Sequence, residues 1–263
     1  MSRVLDEFLD GADSWAEPFV DILSIDPSLS IEDALRLQFA FSKRRSARGD
    51  KLVGYKATSG AFASADNYQG RKAPRIVVGA LHQSCILPEG TPFPLRTGKT
   101  FIEAEIAVML KEDLCGPGVT PLDVIRAIGG IFPAVEVSPW APAAVNKQRS
   151  PQHLIAALKT DGHVILGSPM RTLHGFDPRL EGAILEINGE VRGSGTAVQV
   201  MGNPMNAVAY MANQVAEFGG RLAAGMILMT GSIGTPAAAE RGDSDARALF
   251  TTLGSVVVRF LRQ

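Results

Sequence analysis

The spacing of hydrophobic and polar positions changes once along this chain. Up to Asp50 apolar residues recur every three to four positions, as an amphipathic helix requires: in SLSIEDALRLQFAFSKRRSARGD, Ile31, Ala34, Leu35 and Phe39 share one face. Ser30 is placed to cap that helix with Asp33 three residues on, and Gly49 to stop it. Beyond Gly49 the apolar segments become short and β-branched: KLVGYKA, RIVVGAL, FIEAEIAVML and IFPAVEV. They are broken by the Pro- and Gly-rich LPEGTPFPLRTGKT, and together they predict strands. One helix is predicted among them at TPLDVIRAIGG, with Thr120 as N-cap, Pro121 at the first helical position and a glycine exit.

The second half carries sharper local signals. In AILEINGEVRGSG, Asn188-Gly189 between two alternating runs predicts a tight hairpin. NPMNAVAYMANQVAEFGG predicts a helix capped by Asn203, opened by Pro204 and closed by Gly219, with Val208, Met211, Val215 and Phe218 as its core stripe. MILMTGSI and ALFTTLGSVVVRF read as closing strands, the latter with a turn at Leu253-Gly254. There is no internal repeat, no GxGxxG and no GxxxxGK[ST], and the mixed order of elements argues against a Rossmann sheet or a β/α barrel.

Composition narrows the function classes. A chain of 263 residues that is 46% hydrophobic can bury a full core. The formal net charge of −1 and the absence of long single-sign runs speak against nucleic-acid binding, and SKRRSARGD reads as the solvated end of a helix. Cys85 and Cys115 form no CxxC pair, and MSRVLDEFLDGADSW has charges where a signal peptide needs an apolar core, so a reducing, cytoplasmic setting is expected. No stretch approaches the ~20 apolar residues of a membrane span. His82, His153, His163 and His174 lack the paired spacing of common zinc sites.

Candidate chemistry begins with two glutamates inside an apolar run. In a strand, Glu103, Glu105 and Ala107 share one face, and Ile102, Ala104, Ile106 and Val108 share the other. Two carboxylates about 4 Å apart repel by roughly 4 kcal/mol at an effective dielectric of about 20. Either this face is polar and half-exposed, near Lys99 and Lys111, or something positive lies between the charges. A third carboxylate, Glu136 in FPAVEVSPW, points to the second reading, with a hard divalent cation on oxygen ligands and a chelated 2-oxo acid or enol as substrate. Lys56 in VGYKATSG is a surface lysine or an acid/base; Ser232 in MTGSIGTP lies in an ordinary turn or one that lets backbone approach a ligand. Glu240, Asp243 and Asp245 read as a solvated loop.

GYK, FIEAEIAVMLKEDL, PAVEV, NGEVRGSGTAVQVMGNPMNAVAYMANQVAEFGGRLAAG, LMTGSIGTP and GSVVVRF, in that order, resemble the 2-keto-4-pentenoate hydratase and 4-oxalocrotonate decarboxylase family of the fumarylacetoacetate hydrolase superfamily. The resemblance implies an α+β fold: a mixed β-roll or sandwich core over 51–263 with peripheral helices, and a helical segment over 1–50 packed on it. It also implies Mg²⁺ or Mn²⁺ held by Glu103, Glu105 and Glu136, with Lys56 and Ser232 lining the pocket, and a homo-oligomer. The implied activity is hydration of a 2-hydroxydienoate or unsaturated 2-oxo acid from aromatic-compound breakdown. Decarboxylation of a 4-oxalocrotonate-like acid and acylpyruvate hydrolysis are the alternatives on the same scaffold, and a weakly active metal-binding partner subunit is a third. Three departures stand out. Gln83 replaces an acidic residue, which puts forward His82 or a metal-bound water for proton transfer and Gln83 as a substrate contact; Ser138-Pro139-Trp140 replaces Asp-Ser-Arg; and KTDGHVILG replaces a D-N-x-S-x-G stretch.

Overall fold

The computed structural model describes residues 20–58, 76–95, 99–139, 150–157 and 162–261. The first helical turn, α1 (Ile22–Ile25), precedes α2 (Ile31–Ala47), which starts where the sequence predicts: Ser30 and Asp33 form a reciprocal capping box. Leu35, Leu37 and Phe41 of α2 are buried with Ile22 and with Ile155 of a later helix. The strands β1 (Leu52–Thr58), β2 (Val77–His82), β3 (Ile86–Leu87), β4 (Pro92–Phe93) and β5 (Thr100–Leu110) follow. Then come α3 (Pro121–Ala127), β6 (Ile128–Pro139), α4 (Pro151–Ala156), β7 (His163–Leu166), β8 (Gly182–Ile187) and β9 (Glu190–Thr196). Last are α5 (Pro204–Glu217), β10 (Ile227–Ser232), β11 (Ala237–Ala239), β12 (Asp245–Phe250) and β13 (Gly254–Phe260).

One sheet runs β2-β1-β10-β5-β6-β7-β3, with β11 continuing beside β5; the other runs β4-β13-β12-β8-β9. The two ends of the first sheet, β2 and β3, are joined by the three-residue 3-10 turn Gln83–Cys85. Seven strands laid flat would put those ends roughly 29 Å apart, and a 3-10 turn rises only about 2 Å per residue. The sheet is therefore rolled, with its two edges meeting at that turn. Inside the roll lie Leu81, Cys85, Ala107, Ala134, Val164 and Met229. Its outer face carries Ile102, Ala104, Ile106 and Val108, buried in one core with Leu185, Ile187, Val256 and Val258 of the second sheet and with Val208, Met211 and Val215 of α5. The alternation read from the sequence thus holds, with both faces of β5 covered.

Local signals hold at most other points. The Asn188-Gly189 turn has positive φ at both residues, 52° and 78°, as a primed hairpin turn needs. The Asn203 side chain caps α5 and Gly219 follows its end at φ 72°. Two expectations change. The helix α3 does not leave through its glycines: Ile128 already has ψ 128°, and Gly129 and Gly130 lie in β6, where Gly130 pairs with Met109 of β5. Strand pairing takes residues that helical pattern alone assigned to an exit. The last hairpin turns at 251–253, and Gly254 opens β13 instead of sharing the turn with Leu253. The expectations for MSRVLDEFLDGADSW, for Trp140 and for Lys159 to Asp161 fall outside the described residues.

Candidate metal and substrate site

Strand register brings the acidic residues together. Glu103 on β5 is paired directly with Glu136 on β6, and Glu105 is paired with Ala134 on one side and with Ser232 of β10 on the other. Directly opposed residues point the same way, with Cβ atoms about 4.5–5.5 Å apart. All three carboxylates thus share one face with Ala107 and Ala134, inside the roll. Glu105 and Glu136 are buried and Glu103 is half-buried.

Lys56 enters from β1. That strand runs parallel to β10 with Lys56 beside Met229, which in turn pairs with Ala107, so the lysine lies on the same inner face. The close passage of β1 needs Gly54, whose hypothetical Cβ would fall 1.7 Å from the Ile227 carbonyl oxygen. Lys56 is buried, and its Nζ donates to Glu136 Oε1 at 2.5 Å.

Two features the sequence reading missed complete the arrangement. The β10–β5 register slips between Met229 and Ser232, where Gly231 takes φ 111° and its N–H donates to Glu105 Oε2 at 2.9 Å. A glycine inside MTGS is a recognisable bulge signal. Gly162, just before β7, has no such signature: a Cβ there would lie 2.8 Å from both Glu136 Oε1 and Lys56 Nζ. It belongs to the KTDGHVILG stretch.

The charges do not balance. Among the described residues three carboxylates face one ammonium, which leaves two negative charges over if all are ionised. Burial, with the charge of Glu136, pushes the Glu103 carboxyl up to about 7, against the pull of Lys56 and of a hydrogen bond from Ser232. Burial also pushes Glu105 well above the carboxylate range; Glu136 and Glu103 add to this, and the Gly231 N–H opposes it. At Lys56 burial favours the neutral amine, but Glu136 and Glu103 more than offset it and the ammonium is held above its ordinary value. Among the described residues no three His, Cys, Asp or Glu side chains stand gathered as a ligand set. Each glutamate is turned to a partner within the protein: Glu136 to Lys56, Glu105 to Gly231 and Glu103 to Ser232. The donor chemistry nevertheless fits a hard divalent cation, since three carboxylates on one face offer the oxygen ligands it takes and its charge would favour their ionised forms.

His82 and Gln83 are placed differently from the expectation. Along β2, Gly79 pairs with Lys56 and Leu81 is packed inside the roll, so His82 projects from the outer face. There its Nε2 meets the Ser42 hydroxyl at 3.2 Å and the Ser42 carbonyl oxygen at 3.3 Å, both on α2. Its Nδ1 is buried without a hydrogen-bond partner among the described residues, and burial holds its pKa below the ordinary 6.5. The structure therefore does not bring His82 to the carboxylates: strand alternation turns it toward α2. Gln83 is exposed and opens the turn at the seam, its N–H bonded to the Lys51 carbonyl oxygen at 2.8 Å. Glu240, Asp243 and Asp245 lie away from the site, in a loop tied to Asn188. Among the described residues no helix is long and apolar enough to cross a membrane.

Comparison with known proteins supplies a family context. A family model described as fumarylacetoacetate (FAA) hydrolase C-terminal matches residues 53–260. A 4-oxalocrotonate decarboxylase of Pseudomonas putida is 32% identical over 98% of this chain and 96% of its own length. A 2-oxo-hept-4-ene-1,7-dioate hydratase of Escherichia coli is 29% identical over 96% of this chain and 95% of its own. Among solved structures, 4-oxalocrotonate decarboxylase from Pseudomonas putida G7, complexed with magnesium and adipate, superposes with a TM-score of 0.85 at 31% identity, covering 98% of this chain and 96% of that one.

Proposed function

The chain belongs to the fumarylacetoacetate hydrolase family, and from that premise we propose that it is a divalent-metal-dependent lyase that hydrates a 2-hydroxydienoate or unsaturated 2-oxo acid such as 2-keto-4-pentenoate. The observation that carries this reading is the gathering of three carboxylates, Glu103, Glu105 and Glu136, on one inner face of the roll with Lys56 beside them. A hydratase relative that matches nearly end to end supports it.

Glu103, Glu105 and Glu136 would hold Mg²⁺ or Mn²⁺. When bound, the ion supplies a Lewis acid that polarises the 2-oxo oxygen and the neighbouring carboxylate of the substrate. The protein supplies the rest. The Gly231 N–H fixes the orientation of Glu105. Lys56, charged and buried against Glu136, holds the substrate carboxylate or gives a proton to the terminal dienol carbon and recovers one from the enol hydroxyl, turning the enol into an α,β-unsaturated 2-oxo acid to which water adds. Ser232, across from Glu105, offers a hydroxyl to a substrate oxygen. The apolar layer of Ala107, Ala134, Val164 and Met229 beside the charges keeps bulk water from that side. A homo-oligomer is the expected assembly, which light scattering checks.

A second reading is decarboxylation, favoured by the decarboxylase relative that spans 98% of this chain and by the superposition at TM-score 0.85. The same electron sink would accept the carbanion left when carbon dioxide departs. Incubation with 2-hydroxypenta-2,4-dienoate and with 4-oxalocrotonate, each with Mg²⁺, separates the two. A hydrated 2-oxo acid from the first substrate supports hydration; carbon dioxide from the second alone moves the assignment to decarboxylation. No turnover of either in the presence of Mg²⁺ overturns both and leaves a metal-binding partner subunit.

A further inference from the structure

The roll closes at a single short turn, and a cluster outside the carboxylate site grips that turn. Asp50, between α2 and β1, accepts the Ser84 N–H on Oδ1 at 3.1 Å and the Ser84 hydroxyl on Oδ2 at 2.7 Å. Arg45, near the end of α2, donates from Nε to Asp50 Oδ2 at 2.5 Å and from Nη2 to the Ser84 hydroxyl oxygen at 2.7 Å. Its Nη2 also lies 3.9 Å from Cys85 Sγ. Ser84 is the middle residue of the turn Gln83–Cys85, so one carboxylate and one guanidinium hold all of its polar groups that face α2.

That turn bears on the site from the other side. Cys85 is 1% exposed and packed inside the roll with Ala107, Ala134 and Val164, on the face that carries the carboxylates. The next residue, Ile86, pairs with Val164, which pairs with Glu136. A shift of the turn would be passed to the apolar layer beside the carboxylates and to β7, the strand beside Glu136.

We propose that Asp50, oriented by Arg45, is a positioning residue for the site: by clamping Ser84 it keeps the seam of the roll shut, with Cys85 seated in the apolar layer beside the carboxylates and Ile86 paired to the strand beside Glu136. This rests on the reading of the site given above. Energetics separate the role from plain stabilisation. The Arg45 and Asp50 side chains are 20% and 21% exposed and Ser84 is exposed, so groups left over when the clamp is cut can turn to water. Loss of the clamp should loosen the seam much more than it destabilises the fold.

The test uses the full chain in a Cys115→Ser background, which removes the exposed thiol and leaves buried Cys85 as the reporter. Asp50→Asn and Ser84→Ala, singly and together, are compared for the rate at which a thiol reagent modifies Cys85 under native conditions, and for kcat and KM on the 2-hydroxydienoate with Mg²⁺. The expected result is Cys85 modification faster by about tenfold or more, and kcat lower by about tenfold to a hundredfold, with a double variant no worse than either single one and little change in melting temperature. Cys85 modification at the wild-type rate in Asp50→Asn overturns the clamp whatever the turnover. Faster modification with unchanged kcat overturns the positioning role. If the wild-type chain turns over no dienoate, the functional reading fails, while the Cys85 rates still decide whether the clamp holds the seam.

Discussion

Glu103 and Glu136 stand directly opposite each other on β5 and β6, and the Lys56 ammonium bonds to the second of them. Among the described residues one cation thus faces three carboxylates, and that arrangement gives the first prediction. Metal-free protein should gain stability when Mg²⁺ or Mn²⁺ is added, by about 2.7 kcal/mol at a hundred times the dissociation constant. Calorimetry should find one ion per chain, and Glu105→Gln should weaken its binding by about tenfold or more. Binding as tight as wild type would place the ion elsewhere.

Lys56→Met keeps the stem and removes the charge. It should lower turnover by at least roughly tenfold. Glu136 would then stay buried without its partner, so the metal-free variant should lose about 3 to 5 kcal/mol of stability, less with Mg²⁺ present. Denaturant unfolding with and without the ion reads the second effect, and near-normal turnover would remove Lys56 from the mechanism.

Gly162→Ala tests space where no side chain now stands. The added methyl would fall 2.8 Å from Lys56 Nζ and from Glu136 Oε1, both ends of flexible side chains, so the pair should move apart while the fold survives. Turnover should fall with little change in melting temperature. An active variant with wild-type kinetics would show that the Lys56–Glu136 contact has slack.

His82 gives the pH dependence. Burial holds its folded pKa below the ordinary 6.5, so the folded state takes up the proton less readily than the unfolded state. Its contribution is fully present above pH 6.5 and is lost as pH falls from there through the folded value. His82→Gln should flatten the fall of melting temperature between neutral pH and pH 5, and should leave Mn²⁺ affinity unchanged. A large loss of turnover without loss of stability would return His82 to proton transfer.

What was legible in the sequence is what neighbouring residues decide among themselves. The capping box of Ser30 and Asp33, the Asn188-Gly189 turn and the shared face of Glu103 and Glu105 each rest on spacings of a few residues, and each stands in the structure. The placement of Lys56 beside Glu136 and of Gly162 beside both depends on strand register between distant segments, which no local pattern encodes. His82 shows the limit most plainly. Its place next to Gln83 suggested a role at the site, but one step of strand alternation turns it to the opposite face.

The parallel pairing of β1 with β10 joins residues 54–56 to 227–229. Contacts this far apart in sequence are slow to form, because a long loop must close before they reward it. During synthesis Lys56 emerges long before Met229 exists, and until β10 arrives no strand lies between β1 and β5. The ammonium and the carboxylates of Glu103 and Glu105 then belong to separate pieces of sheet. A nascent or truncated chain lacking β10 can pair β5 with β6 and gather the three carboxylates, but it has them without the lysine that faces them in the finished roll.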